Sequence, residues 1–222
     1  MSEVHDGYLI FTTYILEKEL PEVMRKRLAI VLLLFTIAAH AMAEQREPAN
    51  HVPGRGSEEV GMNFQLRDAQ GKLHFVDSLT GKQGTVLLFI STQCQISHAY
   101  TKRMNSLHED YKSRGITIIG VVSNINEPVE TIENFAQRNL RFTVYKDVNC
   151  QASRSLGAQV TPEAVFINNH NQVVYRGRID NARDPLQVTS NDLRDAIEAS
   201  LEGKSLSTRE VRAFGCVIKC SM

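Results

Sequence analysis

The sequence predicts an α/β protein: a central mixed β-sheet flanked by helices on both faces, with an added β-hairpin on its N-terminal side. Three observations carry this expectation. Two continuous apolar runs, Thr85 to Ser91 and Ile116 to Val122, have the character of strands covered on both faces. Between them, Tyr100, Met104, Leu107 and Tyr111 recur at four, three and four residues, the spacing of one helical face. After the second run, helical and strand patterns keep alternating before a closing hairpin and helix, which is the order of a sheet held between helical layers.

The elements follow in chain order. "MNFQLRDAQGKLHFV" alternates apolar and polar residues on both sides of Asp68-Ala-Gln-Gly71, so two half-buried strands and a turn are expected. The run Thr85–Ser91 is the first buried strand, and it leads straight into Cys94. The helix that follows stops at Gly115, since glycine tolerates the left-handed conformation that ends helices. Ile116–Val122 is the second buried strand. Pro128 opens a polar helix to about Arg138 with Val129, Ile132, Phe135 and Ala136 inward, because proline at a first helical position loses no hydrogen bond. Phe142–Tyr145 reads as a short strand, and Asn149 as the cap of a short helix through Leu156 that ends at Gly157. "EAVFIN", a turn through Asn168-Asn-His-Asn171 and "QVVYRG" form a hairpin. Ser190 or Asn191 caps a last helix through Leu201, before Gly203.

Composition narrows the class. The 222 residues are 42% hydrophobic and 23% charged, an ordinary globular balance rather than a disordered or fibrous one. Lys plus Arg equals Asp plus Glu at 25 each, which leaves no basic field for phosphate backbones, so no nucleic-acid partner is expected. Near the N-terminus, MRKR from Met24, the apolar run Leu28–Ala39 and Ala41-Met-Ala43 form a basic region, a hydrophobic region and a small-x-small cleavage site. The run is shorter than the roughly 20 residues a bilayer span takes. Residues 24–43 are therefore expected to be a signal peptide that meets the membrane only during export to the periplasm or exterior. Residues 1–23 fit no part of such a signal and read as an upstream start-site extension. Residues 44–56, "EQREPANHVPGRG", read as a flexible leader, 57–203 as the folded domain and 204–222 as a C-terminal tail carrying Cys216 and Cys220.

All four cysteines, Cys94, Cys150, Cys216 and Cys220, follow the signal. In an oxidising compartment such thiols pair, and four of them allow three full pairings. Cys94 is the chemical focus. A thiol at a helix N-terminus faces unpaired backbone N–H groups and the positive end of the helix dipole, both of which favour thiolate, the reactive form. Ser97, one turn on, has a hydroxyl able to donate to that sulfur, but it cannot complete a disulfide.

The strand-Cys-helix junction at Cys94, "VTPEAVFI" at 160–167 and "YRGRID" at 175–180, in this order, resemble the thioredoxin fold over roughly Val60–Gly203. The hairpin "NFQLRDAQGKLHF" and "FGCVIK" narrow the likeness to redoxin-domain proteins of the alkyl hydroperoxide reductase and thiol-specific antioxidant group, in its peroxiredoxin-like exported branch. The resemblance implies a cis Thr161-Pro162 bond lying against the Cys94 sulfur, with the Thr161 backbone available to an extended peptide. Two departures stand beside it. The peroxiredoxin pattern of Pro, three residues, Thr, two residues, Cys meets Leu87 and Ser91 here, and Cys94 takes the first thioredoxin cysteine position while Ser97 takes the second. Arg176 and Arg178 read either as positive charge near the sulfur or, more simply, as a solvated strand face paired with Asp180.

Three thiols remain as partners for Cys94. Cys150 begins a short helix where a cysteine often serves as a small hydrophobe. Cys220 lies near the terminus, where chains are mobile. Cys216 is the expected partner, since Phe214, Val217 and Ile218 can dock an otherwise polar tail and Gly215 permits close backbone approach. The expectation is an exported thiol-disulfide oxidoreductase that uses Cys94, Cys216, Ser97, Thr161 and Pro162, acts on protein thiols or disulfides, and is recycled by a separate reductant. No organic cofactor is implied, because no glycine-rich phosphate loop or dinucleotide fingerprint occurs. Two alternatives remain: a thiol-dependent peroxidase of the same group, and a copper or zinc site built from Cys94, His98, Cys216 and Cys220.

Overall fold

The computed structural model describes residues 64–206 and 208–220. The expected extension (1–23), signal peptide (24–43) and leader (44–56) lie outside the described residues, as do positions 57–63 of the domain. The hairpin expected at the start is β1 (Gln65–Arg67) and β2 (Leu73–Phe75). The Asp68 carboxylate ties its turn by accepting from the N–H groups of Gln70 and Lys72. Next come β3 (Gly84–Phe89), α1 (Gln95–Tyr111) and β4 (Ile116–Val122), with Gly115 at φ 81° closing the helical segment between α1 and β4. α2 (Val129–Asn139) and β5 (Val144–Asp147) follow, then α3 (Gln151–Leu156), β6 (Val160–Thr161), β7 (Glu163–Asn168), β8 (Val173–Gly177) and α4 (Asp192–Leu201). The tail adds β9 (Glu210–Val211) and β10 (Cys216–Val217).

Eight strands form one mixed sheet in the order β2-β1-β5-β4-β3-β7-β8-β9, while β6 and β10 pair as a separate two-stranded ribbon. β3 runs parallel to β4 and antiparallel to β7, which places it at the centre. The apolar run of β3 is explained by its two faces. Val86 and Leu88 enter a core with Tyr100, Met104, Leu107 and Phe166, whereas Leu87 and Phe89 enter a second with Leu66, Ile119, Val165 and Leu156. Each such buried side chain contributes about 1.5–3 kcal/mol over exposure, so burial on both faces fixes where β3 ends. The chain leaves the sheet just before Cys94.

Three local expectations are corrected. The strand after α2 is shifted to Val144–Asp147, because its parallel partners are Gly120↔Val144 through Val122↔Lys146 and its far end pairs with β1 at Leu66↔Asp147. Asn149 does not cap α3: both Asn149 (φ 55°) and Cys150 (φ 53°) are left-handed, and the cap is the buried Asp147 carboxylate, which accepts from Ala152 N–H at 2.9 Å and Ser153 N–H at 3.0 Å. At α4 the N-cap is Asn191 without a side-chain bond, and Ser190 Oγ donates instead to Asp192 at 2.9 Å.

Candidate active site

The site lies where three segments meet at one end of β3: the loop Ser91–Gln93 leading into α1, the ribbon strand β6, and the tail. Cys94 is the N-cap residue of α1 and is 1% exposed. The Thr161-Pro162 bond is cis, and Cys94 Sγ lies 3.1 Å from the Thr161 carbonyl oxygen. Ser97 is fully buried, but it does not reach the sulfur as expected. Its hydroxyl accepts from Ser91 N–H at 3.3 Å, because the tight turn out of β3 carries that amide over the first turn of α1.

The tail completes the site. β10 pairs antiparallel with β6 in the register Cys216↔Thr161 and Val217↔Val160, and Ile218 N–H donates to the Gln159 carbonyl at 2.9 Å. This pairing carries Cys216 to Cys94. The two form a disulfide with Cα atoms 6.0 Å apart, within the usual span for such a bond. Gly215 permits the approach: a Cβ there would lie 2.1 Å from the Thr161 oxygen. Phe214 packs edge-on against Tyr100 with ring centroids 6.2 Å apart. Cys220, expected to be mobile, is instead joined to Cys150 with Cα atoms 5.9 Å apart, and the adjoining Lys219 N–H donates to Asn124 Oδ1 at 2.7 Å. Backbone pairing at Ile125 N–H to Lys219 C=O, 2.9 Å, and the bond to Cys150 together hold the last residues.

A carboxylate that sequence reasoning missed binds the Cys94 loop. Glu127, 1% exposed, accepts from Ser91 Oγ (2.7 Å), Thr92 N–H (2.7 Å), Thr92 Oγ1 (2.6 Å) and Asn124 Nδ2 (2.6 Å). Its charge is thus balanced by four donors rather than by a cation in contact. Lys146 stands nearby and donates to the Asn124 carbonyl. Burial lowers its pKa, while Glu127 and Asp147 act in the other direction. Asn124 joins the two halves of the site, since one end of its side chain holds the tail and the other holds Glu127.

Other expected groups are placed elsewhere. Neither Arg176 nor Arg178 pairs with Asp180: Arg176 bonds Glu210 at 2.6 Å, Arg178 bonds Asp192 at 2.7 Å, and Asp180 is held by Arg103 and Tyr100. The alternative metal set is not gathered. Cys220 is bonded to Cys150, His98 Nε2 sits 2.7 Å from the Thr92 carbonyl with its ring 4.8 Å from Phe135, and among the described residues no group of three or more His, Cys, Asp or Glu could hold an ion.

A cysteine at the junction of a central strand and a helix, facing a cis-proline turn, defines a redoxin-type protein of the thioredoxin fold. Residues 59–176, just over half of the chain, match the model of the AhpC/TSA family. The chain belongs to that family. It is 32% identical over 117 residues to the thiol-disulfide oxidoreductase ResA of Halalkalibacterium halodurans, a match that covers 52% of this chain and 65% of that protein, just under two thirds of its length. The thiol-disulfide oxidoreductase ResA of Geobacillus thermodenitrificans is 29% identical over 162 residues, covering 71% of this chain and 87% of that one. The crystal structure of a hypothetical protein from Sinorhizobium meliloti superposes with a TM-score of 0.65 at 28% identity, over 71% of this chain and 91% of that one.

Proposed function

We propose that the protein is an exported thiol-disulfide oxidoreductase in which Cys94 is the attacking thiolate and Cys216 the resolving thiol. The observation that carries this reading is the bond between Cys94, at the N-terminus of α1, and Cys216 on a strand paired beside the cis-proline turn. In the reduced protein, the first-turn N–H groups and dipole of α1 stabilise the Cys94 thiolate. That thiolate attacks one sulfur of a substrate protein disulfide, and the other sulfur leaves as a thiolate that takes up a proton. Cys216, losing its proton, then attacks the Cys94 sulfur, closes the internal disulfide and releases the substrate's second thiol; two electrons pass from the cysteine pair to the substrate. The family and the names of the relatives support this chemistry, and the basic-apolar-small pattern of residues 24–43 supports export, with 57–203 as the working domain and 204–222 as its thiol-bearing tail.

A Cys216→Ser variant expressed in the native compartment tests the assignment. It should accumulate mixed disulfides through Cys94 that a Cys94→Ser variant lacks. Adducts carried by Cys150, or equal trapping in both variants, would refute these two roles. N-terminal sequencing should find the exported chain starting at or near Glu44, and mature protein that keeps residues 24–43 would refute cleavage.

A further inference from the structure

We propose that the small cavity beside Cys150 is a second exchange site, at which a compact carboxylate-bearing thiol opens the Cys150–Cys220 bond and remains on Cys150 as a mixed disulfide, its carboxylate held by Arg67 and Lys146. Neither Cys94 nor Cys216 takes part.

The cavity measures about 230 Å³ and is lined by Arg67, Ser123, Ile125, Val129, Lys146 and Cys150 among others. Cys220 is not in its wall, so the cavity meets the disulfide from the Cys150 side. Asn149 and Cys150, consecutive left-handed residues at φ 55° and 53°, form one wall of it. At 2% exposure Cys150 admits no protein thiol, and a small molecule lodged in the cavity is the nucleophile that reaches it. The volume falls below the roughly 300–1,000 Å³ of ordinary ligand sites, which limits the occupant to a few heavy atoms, as in a thiol acid of the size of free cysteine. Ile125 and Val129 offer apolar contact to its methylene groups.

The charge of the cavity selects the acid. The register of β1 on β5 sets Arg67 opposite Lys146, and like charges so opposed on neighbouring strands repel unless an anion lies between them. Arg67 donates one Nη to the Gly71 carbonyl at 2.9 Å and, among the described residues, pairs with no carboxylate. Lys146 donates to the Asn124 carbonyl, and burial works against its charged form while Glu127 and Asp147 offset that effect in part. Asp147 also lines the cavity, but its carboxylate is already engaged, accepting from Ser123 Oγ at 2.7 Å and from the N–H groups of Ala152 and Ser153 at 2.9 and 3.0 Å. A carboxylate between Arg67 and Lys146 relieves their repulsion and gains hydrogen bonds from both.

The step balances. The small thiol gives its proton to solvent, and its thiolate forms a bond to Cys150 Sγ while the Cys150–Cys220 bond breaks. The electron pair of that bond leaves on Cys220, which takes up a proton. One disulfide replaces another, so no further oxidant or reductant is needed, and the tail loses its attachment at Cys220.

The test exposes the oxidised protein to 3-mercaptopropionate or to 2-mercaptoethanol at equal thiolate concentration, each rate being calibrated on hydroxyethyl disulfide. Early samples are quenched with acid, alkylated and mapped without reduction. After calibration, 3-mercaptopropionate should label Cys150, with Cys220 alkylated, about tenfold or more faster than 2-mercaptoethanol, the factor that a hydrogen bond to a charged group supplies. In an Arg67→Gln variant that preference should disappear while the Cys94–Cys216 peptide, a sign of the folded chain, persists; should this variant fail to fold, the two thiols on the unsubstituted protein decide alone. Equal calibrated rates for the two thiols, label on Cys220 in place of Cys150, label confined to Cys94 or Cys216, or a preference kept in folded Arg67→Gln would overturn the inference.

Discussion

Glu127 governs a loop that is remote from it in sequence, since Thr92, which it grips twice, stands 35 positions earlier. Between Asn126 and Pro128 it reads as a solvated loop acid; it becomes the clamp of the Cys94 loop only when the ends of β3 and β4 lie side by side, a relation of parallel strands that no local pattern encodes. Cys94 itself was legible, because an apolar run that stops at a cysteine and restarts as a helix is a local pattern. Replacing Glu127 by Ala leaves the donors of Ser91, Thr92 and Asn124 without their acceptor, at about 1–3 kcal/mol for each buried group. The expected outcome is a loss of about 3 kcal/mol or more in denaturant unfolding, together with altered alkylation kinetics of reduced Cys94; stability and kinetics equal to the parent would refute the clamp. His108 gives a pH-dependent counterpart. Burial beside Phe142 lowers its pKa from the ordinary 6.5, so the fold prefers the neutral ring. The unfolded chain then binds the proton first as pH falls. Its contribution is present in full above about pH 6.5 and is lost as pH falls from there towards the folded-state pKa, at no more than about 1.4 kcal/mol per pH unit. Urea midpoints at pH 7.5 and 5.5 should show this decline, and a His108→Phe variant should show less of it.

At the scale of elements, the tail is the part that sequence reading half resolved. Phe214, Gly215 and Ile218 announced a docking segment, since apolar residues around a glycine stand out in a polar stretch, but the partner strand and its register did not follow. β6 is only two residues long, too short for alternation to reveal, and β10 has no side-chain pattern of its own. The same limit hid Asp147 as the cap of α3, since a cap that precedes its helix across two left-handed residues breaks the usual spacing. Gly215 provides the test of the register. A Gly215→Ala variant must move the tail away from the Thr161 oxygen, because that atom would lie 2.1 Å from the new Cβ. Peptide mapping should recover several-fold less Cys94–Cys216 linkage, while Cys150–Cys220, held separately by Lys219 and Asn124, should persist. Undiminished Cys94–Cys216 linkage would show that the strands do not meet in this register.

For the whole molecule, two disulfides tie the C-terminal tail to the rest of the domain. The pair Cys150–Cys220 closes a sequence separation of 70, and its buried end lies against the Ser123 carbonyl, 3.1 Å from Cys150 Sγ. Composition could count four cysteines but not choose among their three pairings, because connectivity depends on the path of the tail across β6. In the chain-entropy model, closing a loop of this size stabilises the fold by about 4 kcal/mol. Cys220→Ser should therefore lower the denaturation midpoint of the oxidised protein markedly and reduce the yield of the Cys94–Cys216 bond, since the tail then has one covalent attachment in place of two. A midpoint unchanged from the parent would mark the bond as dispensable. The pairing of β10 with β6 has one further consequence. A foreign peptide that lines up against β6 competes with a segment of the same chain, whose local concentration is set by its tether, on the order of millimolar, and does not fall on dilution. Free peptides at micromolar levels lose that contest, so occupancy of the edge is governed by whether the tail has been released rather than by how much peptide is present.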